Sequence, residues 1–270
     1  NFYTLYRCHD LHFTIYGAMF SGQSQVALAT AARLEASIPD ELVRVQVPPM
    51  ADWIESFLSI RVHVYIRFGM WSELIGMQLP DDPELYCTTT AMIHYGRGVA
   101  YAATGRIDDA AAERDLFRAA LTRVPESRTL FNNTCLDILA IASAMLDGEL
   151  EYRCGNIDAA FDHLRTSIAL DDNLPYDEPW GWMQPTRHAY GALLLEQGRV
   201  DDAEAVYRAD LGYDDTLPRA LQHPRNVWAL HGFHECLTRL GKTGEAAIIG
   251  RELALATALA DVPIVASCLC

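Results

Sequence analysis

The chain has 270 residues, half of them hydrophobic, and a mean hydropathy near zero; this supplies ample apolar surface for a core, and no apolar run reaches the roughly 18 residues needed to cross a bilayer. Thirty-six acids against 21 bases give a net charge of −15, and without a run of Lys or Arg the phosphate chemistry of nucleic acids and anionic membranes is excluded. Seven cysteines (Cys8, Cys87, Cys135, Cys154, Cys236, Cys268 and Cys270) are odd in number and irregularly spaced; with no basic-then-apolar leader, this predicts reduced thiols and a cytoplasmic protein.

In chain order, apolar periodicity predicts paired helices over 6–21 and 23–37, 51–68 and 71–77, 88–104 and 107–123, 133–154 and 157–170, 184–197 and 200–210, and 225–240 and 243–260. A glycine closes the first helix of each pair: Gly22, Gly69, Gly105, Gly155, Gly198 and Gly241. A left-handed C-cap suits each of them. Five places further on stand Ala27, Ala110, Ala160, Ala203 and Ala246, where two helices cross too closely for a larger side chain. The linkers carry the prolines, in Val47-Pro48-Pro49, Leu79-Pro80-Asp81-Asp82-Pro83 and Leu174-Pro175-Tyr176-Asp177-Glu178-Pro179. Trp180-Gly181-Trp182-Met183 adds aromatic bulk to the last of these. No segment alternates as a strand does, so no β-sheet is expected. The first residue is Asn1, in sequence that already reads as folded, which predicts an excerpt of a longer chain.

One sentence is written twice near the C-terminus. Asp171-Asp172-Asn173-Leu174-Pro175, His188 and Gly198 return 43 places later as Asp214-Asp215-Thr216-Leu217-Pro218, His231 and Gly241. A fixed period of this size marks a helical repeat array, in which each unit buries its apolar face against its neighbours. With Gly98, Gly148 and Gly191 as the small residue before the turn, Tyr65 and Tyr101 at aromatic core places and Pro39 and Pro125 closing units, the chain resembles the tetratricopeptide repeat family from about Cys8 to Ala260. Glycine spacings of 36 to 50 depart from the family's repeat of about 34. The resemblance implies an all-α, right-handed superhelical solenoid of about six helix-turn-helix repeats, forming one domain over residues 1–270.

The resemblance also implies that the second, fifth, ninth, twelfth and thirteenth places of each first helix line a concave groove. Counted back from the turn glycines, these places include His9, His12, Tyr16, His63, Arg67, Tyr95, Glu149, Tyr152, Arg153, His188, Trp228, His231 and Glu235. Five of the nine histidines fall on 30 places of 270, where chance would put about one. Facing imidazoles with nearby carboxylates suit copper, iron or zinc, and His9 and His12, three apart, share a helix face. The expected ligand set is therefore His9, His12 and His63, with His188 and His231 as a second set or its completion, and Cys268 and Cys270 as soft ligands from the tail.

Two readings follow. In one, the groove holds a transition metal and runs metal-dependent redox or hydrolytic chemistry on a small substrate. In the other, it is a scaffold that binds a protein or peptide without catalysis. Histidine placement favours the metal. Lys242 is the single lysine, so the groove is a poor copy of the lysine-bearing clamps that the family uses for acidic peptides. His94 reads as core, His163 and His223 as surface and loop, and His234 as a helix-packing residue. No Gly-rich phosphate loop, nucleophile elbow or His-Glu-x-x-His motif is present.

Overall fold

The computed structural model describes residues 2–269. Helix-turn-helix pairs follow one another along the chain. α1 (Phe2–Phe20) pairs with α2 (Ser24–Ala36), and a short α3 (Asp40–Val43) leads on from them. α4 (Met50–Ile54) and α5 (Ile60–Arg67), joined through a 3-10 turn at Glu55–Ser59, stand before α6 (Trp71–Ile75). The later pairs are α7 (Cys87–Ala103) with α8 (Ile107–Leu121), α9 (Cys135–Arg153) with α10 (Ile157–Asp172), α11 (Thr186–Glu196) with α12 (Val200–Leu211), and α13 (Val227–Arg239) with α14 (Thr243–Thr257). The chain is all-α in class, as its periodicity predicts. Among the described residues no helix is long and apolar enough to cross a membrane.

The turns follow from the glycines. All six closing glycines adopt positive φ, between 63° and 83°, a region that L side chains enter only with strain. The small residues set the crossings. Ala27, Ala110, Ala160 and Ala203 are fully buried. The Tyr207 ring lies between α11 and α13, where a Cβ on Gly191 would fall 2.6 Å from it and one on Gly232 closer still.

Two expectations about local structure are corrected. A two-residue antiparallel hairpin is present, pairing Thr129–Leu130 (β1) with Asn133–Thr134 (β2). It is pinned from outside: Ser56 Oγ donates to Thr129 O at 3.0 Å, and Asp177 accepts from the Asn132 amide at 3.1 Å. The helix expected over 51–68 is also interrupted. Glu55, fully buried, pairs with Arg128 at 2.8 Å and accepts from the Thr89 amide at 2.8 Å at the start of α7. Ser59 Oγ donates to Ser56 O at 2.6 Å, a local bond that competes with helical pairing.

The ends of the array meet. Trp228 Nε1 on α13 donates to Met19 O at the end of α1, at 2.7 Å. Gln184, before α11, donates to His63 O on α5. The tail after α14 then runs back over the first pairs. Asp261 accepts from the Ser24 and Gln25 amides at 2.6 and 2.9 Å, and its own amide donates to Gly22 O. Gly22 and Gly69 also leave room for this tail: a Cβ on either would meet Ala260 or Leu269 at about 3 Å.

Candidate functional site

Two polar clusters lie in the enclosed interior. The first is built on α1 and α5. His12 is fully buried and packs edge-on against Phe57, 5.6 Å between ring centres. Neither of its ring nitrogens has a hydrogen-bond partner. Burial, then the charges of His63 and His9, pull its pKa down to about 3. His63 is 4% exposed; burial, then Arg67, pull it likewise to about 3. His9 sits half-buried between Phe13 and Phe131, and its Nδ1 makes no hydrogen bond. Phe131 holds φ at 49°, a strained conformation for an aromatic residue, and also packs on Phe57. Trp182 closes the cluster. Its indole stands edge-on to His63 at 4.7 Å and to Tyr95 at 5.7 Å, with Nε1 unpartnered. The aromatic linker thus packs on His63 and Tyr95, two of the residues expected to line a groove.

The second cluster is a chain of hydrogen bonds from Arg67 to His223. Arg67, 5% exposed, donates to Ser267 O at 2.9 Å and to His188 Nδ1 at 3.2 Å, and lies over the Trp228 ring at 4.9 Å. A guanidinium can only donate, so His188 Nδ1 accepts and its Nε2–H donates to Asp210, at 3.0 Å. That fixes a neutral imidazole, in agreement with its pKa: burial pulls it to about 4, although Asp210 opposes the shift. Asp210 is fully buried and also accepts from His223 Nδ1 at 2.8 Å and Asn226 Nδ2 at 3.1 Å. Burial pushes its carboxyl up, but His188 and His223 outweigh that and hold it below the ordinary range. Burial pulls the Arg67 guanidinium down to about 9, against Asp210 and Tyr16, so it remains charged at neutral pH.

The other expected groove residues divide. Arg67, Tyr95, Glu149 and His188 converge on one enclosed space of about 20 Å³, room for about one water molecule. Glu149, 4% exposed, is pushed up by burial against the pull of Arg153, whose Nε donates to it at 2.7 Å. Tyr152 accepts from Gln197 at 2.8 Å. Glu235 pairs with Arg239 one turn along α13. His231 stands apart, half-buried, with Nδ1 unpartnered; burial lowers its pKa and Glu235 opposes. Cys268 is disulfide-bonded, so its sulfur is not a free thiolate, while Cys8, Cys87, Cys135, Cys154 and Cys236 are free. Cys270 lies outside the described residues.

Metal-ligand chemistry fits the first cluster in donor type. Neutral imidazoles are the ligating form, and His12 carries two buried nitrogens with no protein partner. Both nitrogens of His188 are taken by Arg67 and Asp210. Among the described residues no three His, Cys, Asp or Glu side chains form a ready-made metal cage.

Sequence reasoning missed Asp210 and the part that His223 plays beside it. A signal for Asp210 exists in retrospect. Ala203, Tyr207 and Asp210 follow one helical stripe, so an acid stands on an apolar face. Asp171 does the same on α10, behind Ala160, Leu164 and Ser167, and binds Trp180 Nε1 and Thr186. Each acid ties the linker that follows it to the start of the next helix. His94, expected in the core, is buried and pairs with Glu113 at 2.6 Å. No protein-family model matches the chain, and no curated protein matches it.

Proposed function

We propose that this protein is a tetratricopeptide-like solenoid, wound right-handed and closed on itself, that holds a transition metal ion in its interior. His12 and His63 would hold the ion and His9 would flank it. The observation that carries this reading is the His12 imidazole, fully buried with neither nitrogen hydrogen-bonded. A buried polar group without a partner costs roughly 1–3 kcal/mol, a cost that metal coordination would offset. Copper, zinc and iron all accept imidazole nitrogen. When bound, such an ion supplies Lewis acidity, with redox chemistry added if it is copper or iron. The residues around it have separate roles. Trp182, Phe57 and Phe131 exclude water. Burial, with the positive charge of Arg67 acting in the same sense, keeps the His63 imidazole neutral. The peptide-scaffold reading is less well supported, since Trp182 and the C-terminal tail occupy the surface on which a peptide would lie.

The test is metal content by elemental analysis of protein purified without a histidine tag. Near-stoichiometric copper, zinc or iron is expected, falling severalfold in His12→Ala and His63→Ala and unchanged in His234→Ala. An unloaded parent protein, or full loading in His12→Ala, would overturn the reading.

A further inference from the structure

The largest cavity described, about 830 Å³, has no role in the metal reading. It opens between the end of α1, the linker before α11 and the linker before α13, and its volume lies in the range of small-molecule sites. One wall is aromatic, from Phe13, Tyr16, Phe20 and Trp180. His223 lines the cavity and stacks on Phe20, with 5.2 Å between ring centres and 17° between planes. Its Nδ1–H donates to buried Asp210, which leaves Nε2 as the ring's other nitrogen, a hydrogen-bond acceptor in the neutral form.

The rim adds charge. Arg219 and Arg225 both line the cavity and are exposed. Among the described residues neither has a carboxylate within ion-pair distance, whereas most arginines of this acidic chain do. Arg225 is held at φ 61°, a strained backbone for a long side chain. The acids on the other wall are already engaged. Asp177 accepts from Asn132, Asn133 and Glu178, and Glu178 accepts from the Tyr176 hydroxyl.

We propose that this cavity binds a small aromatic carboxylic acid bearing a hydroxyl or amino group next to its carboxylate. Arg219 and Arg225 clamp the carboxylate. His223 Nε2 accepts from the ligand's O–H or N–H, with Asp210 holding the ring in the tautomer that leaves Nε2 free. The aromatic side chain lies on Phe13, Phe20 and Trp180.

Four probes dissect the claim by titration calorimetry on the full chain. Phenyllactate and phenylalanine carry all the recognised groups, 3-phenylpropionate lacks the donor, and phenylalaninamide lacks the carboxylate. At least one of the first two is expected to bind saturably, and each of the others about tenfold more weakly than that ligand, the usual scale for one lost charged or buried hydrogen bond. His223→Asn keeps an N–H for Asp210 but removes Nε2. It is expected to abolish discrimination against 3-phenylpropionate while melting as the parent does. Arg219→Ala/Arg225→Ala alters exposed loop residues only, and is expected to abolish discrimination against the amide. Failure of both phenyllactate and phenylalanine to bind the parent, or unchanged discrimination in both variants, would overturn the proposal. Metal content, measured separately, is not expected to change in either variant, so the two sites stand or fall independently.

Discussion

Each histidine here is defined by what its two nitrogens face. His94 meets a carboxylate, His188 is held between a guanidinium and a carboxylate, and His12 has no partner on either side. His188 gives a pH prediction. Its pKa is about 4 in the folded protein against 6.5 for the free imidazole. Between these values the unfolded chain binds the proton and the folded chain does not, so stability falls as pH drops from 6.5 toward 4. At roughly 1.4 kcal/mol per pH unit for one group, His188 contributes about 3 kcal/mol to the fall. Asp171, pushed up to about 6 by burial, works in the opposite sense between 3.8 and 6, so the variant difference is the informative quantity. In His188→Gln the amide oxygen accepts from Arg67 and the amide nitrogen donates to Asp210, without titrating. Urea unfolding should give near-parental stability at pH 7.5 and a shallower loss below 6.5; parallel curves for the two proteins would count against a buried neutral His188.

At the scale of elements, turn chemistry and small-residue crossings set the pairs, and buried acids tie one pair to the next. Ala203 on α12 is fully buried in one apolar cluster with Tyr207, Leu193 and Leu194. Ala203→Leu should overpack that crossing and cost about 1–3 kcal/mol, read as a lower melting temperature with unchanged far-UV circular dichroism at 25 °C. An unaltered melting temperature would mean that the crossing is looser than described. The interruption of the second unit belongs to this scale too. Glu55 serves Arg128 and the start of α7 rather than its own helix, so Glu55→Gln should destabilise the protein as measured by equilibrium unfolding, by less than the roughly 3–5 kcal/mol of a wholly unpaired buried charge, because Arg128 keeps Asp52 at 3.3 Å.

At the scale of the whole molecule, the C-terminal tail closes the array. α2 has no side-chain cap of its own at Gln23. Asp261 supplies one from the other end of the chain, through two amides. Asp261→Ala should therefore cost about 1 kcal/mol, as a lost N-cap does, and should raise hydrogen exchange in the first turn of α2 and in residues 261–269 together. Exchange confined to α2 would show that the tail is held by its other contacts, chiefly Ser267. That residue accepts from Arg67 through its carbonyl and joins Tyr207 to His188 O through its hydroxyl.

The sequence alone determined the helical class, the six turns that a glycine closes and the buried alanines, but not the hairpin at Thr129–Thr134 or the break at Glu55–Ser59. These are local matters: a glycine enters positive φ without strain, and apolar period reports which face is covered. It also pointed to His12, His63 and His188, which the structure buries in the interior, though it grouped them with His9 and His231 in one groove. Only the tertiary structure decided that the first and last helix pairs meet, that Trp182 stands beside His63, and that His223, read as a loop residue, joins Asp210 beside the large cavity. Most of the contacts responsible are remote in sequence: Arg67 and His188 stand 121 places apart, and Ser24 and Asp261 stand 237 apart. They depend on how helices far apart in sequence pack together, which no local pattern of residues records.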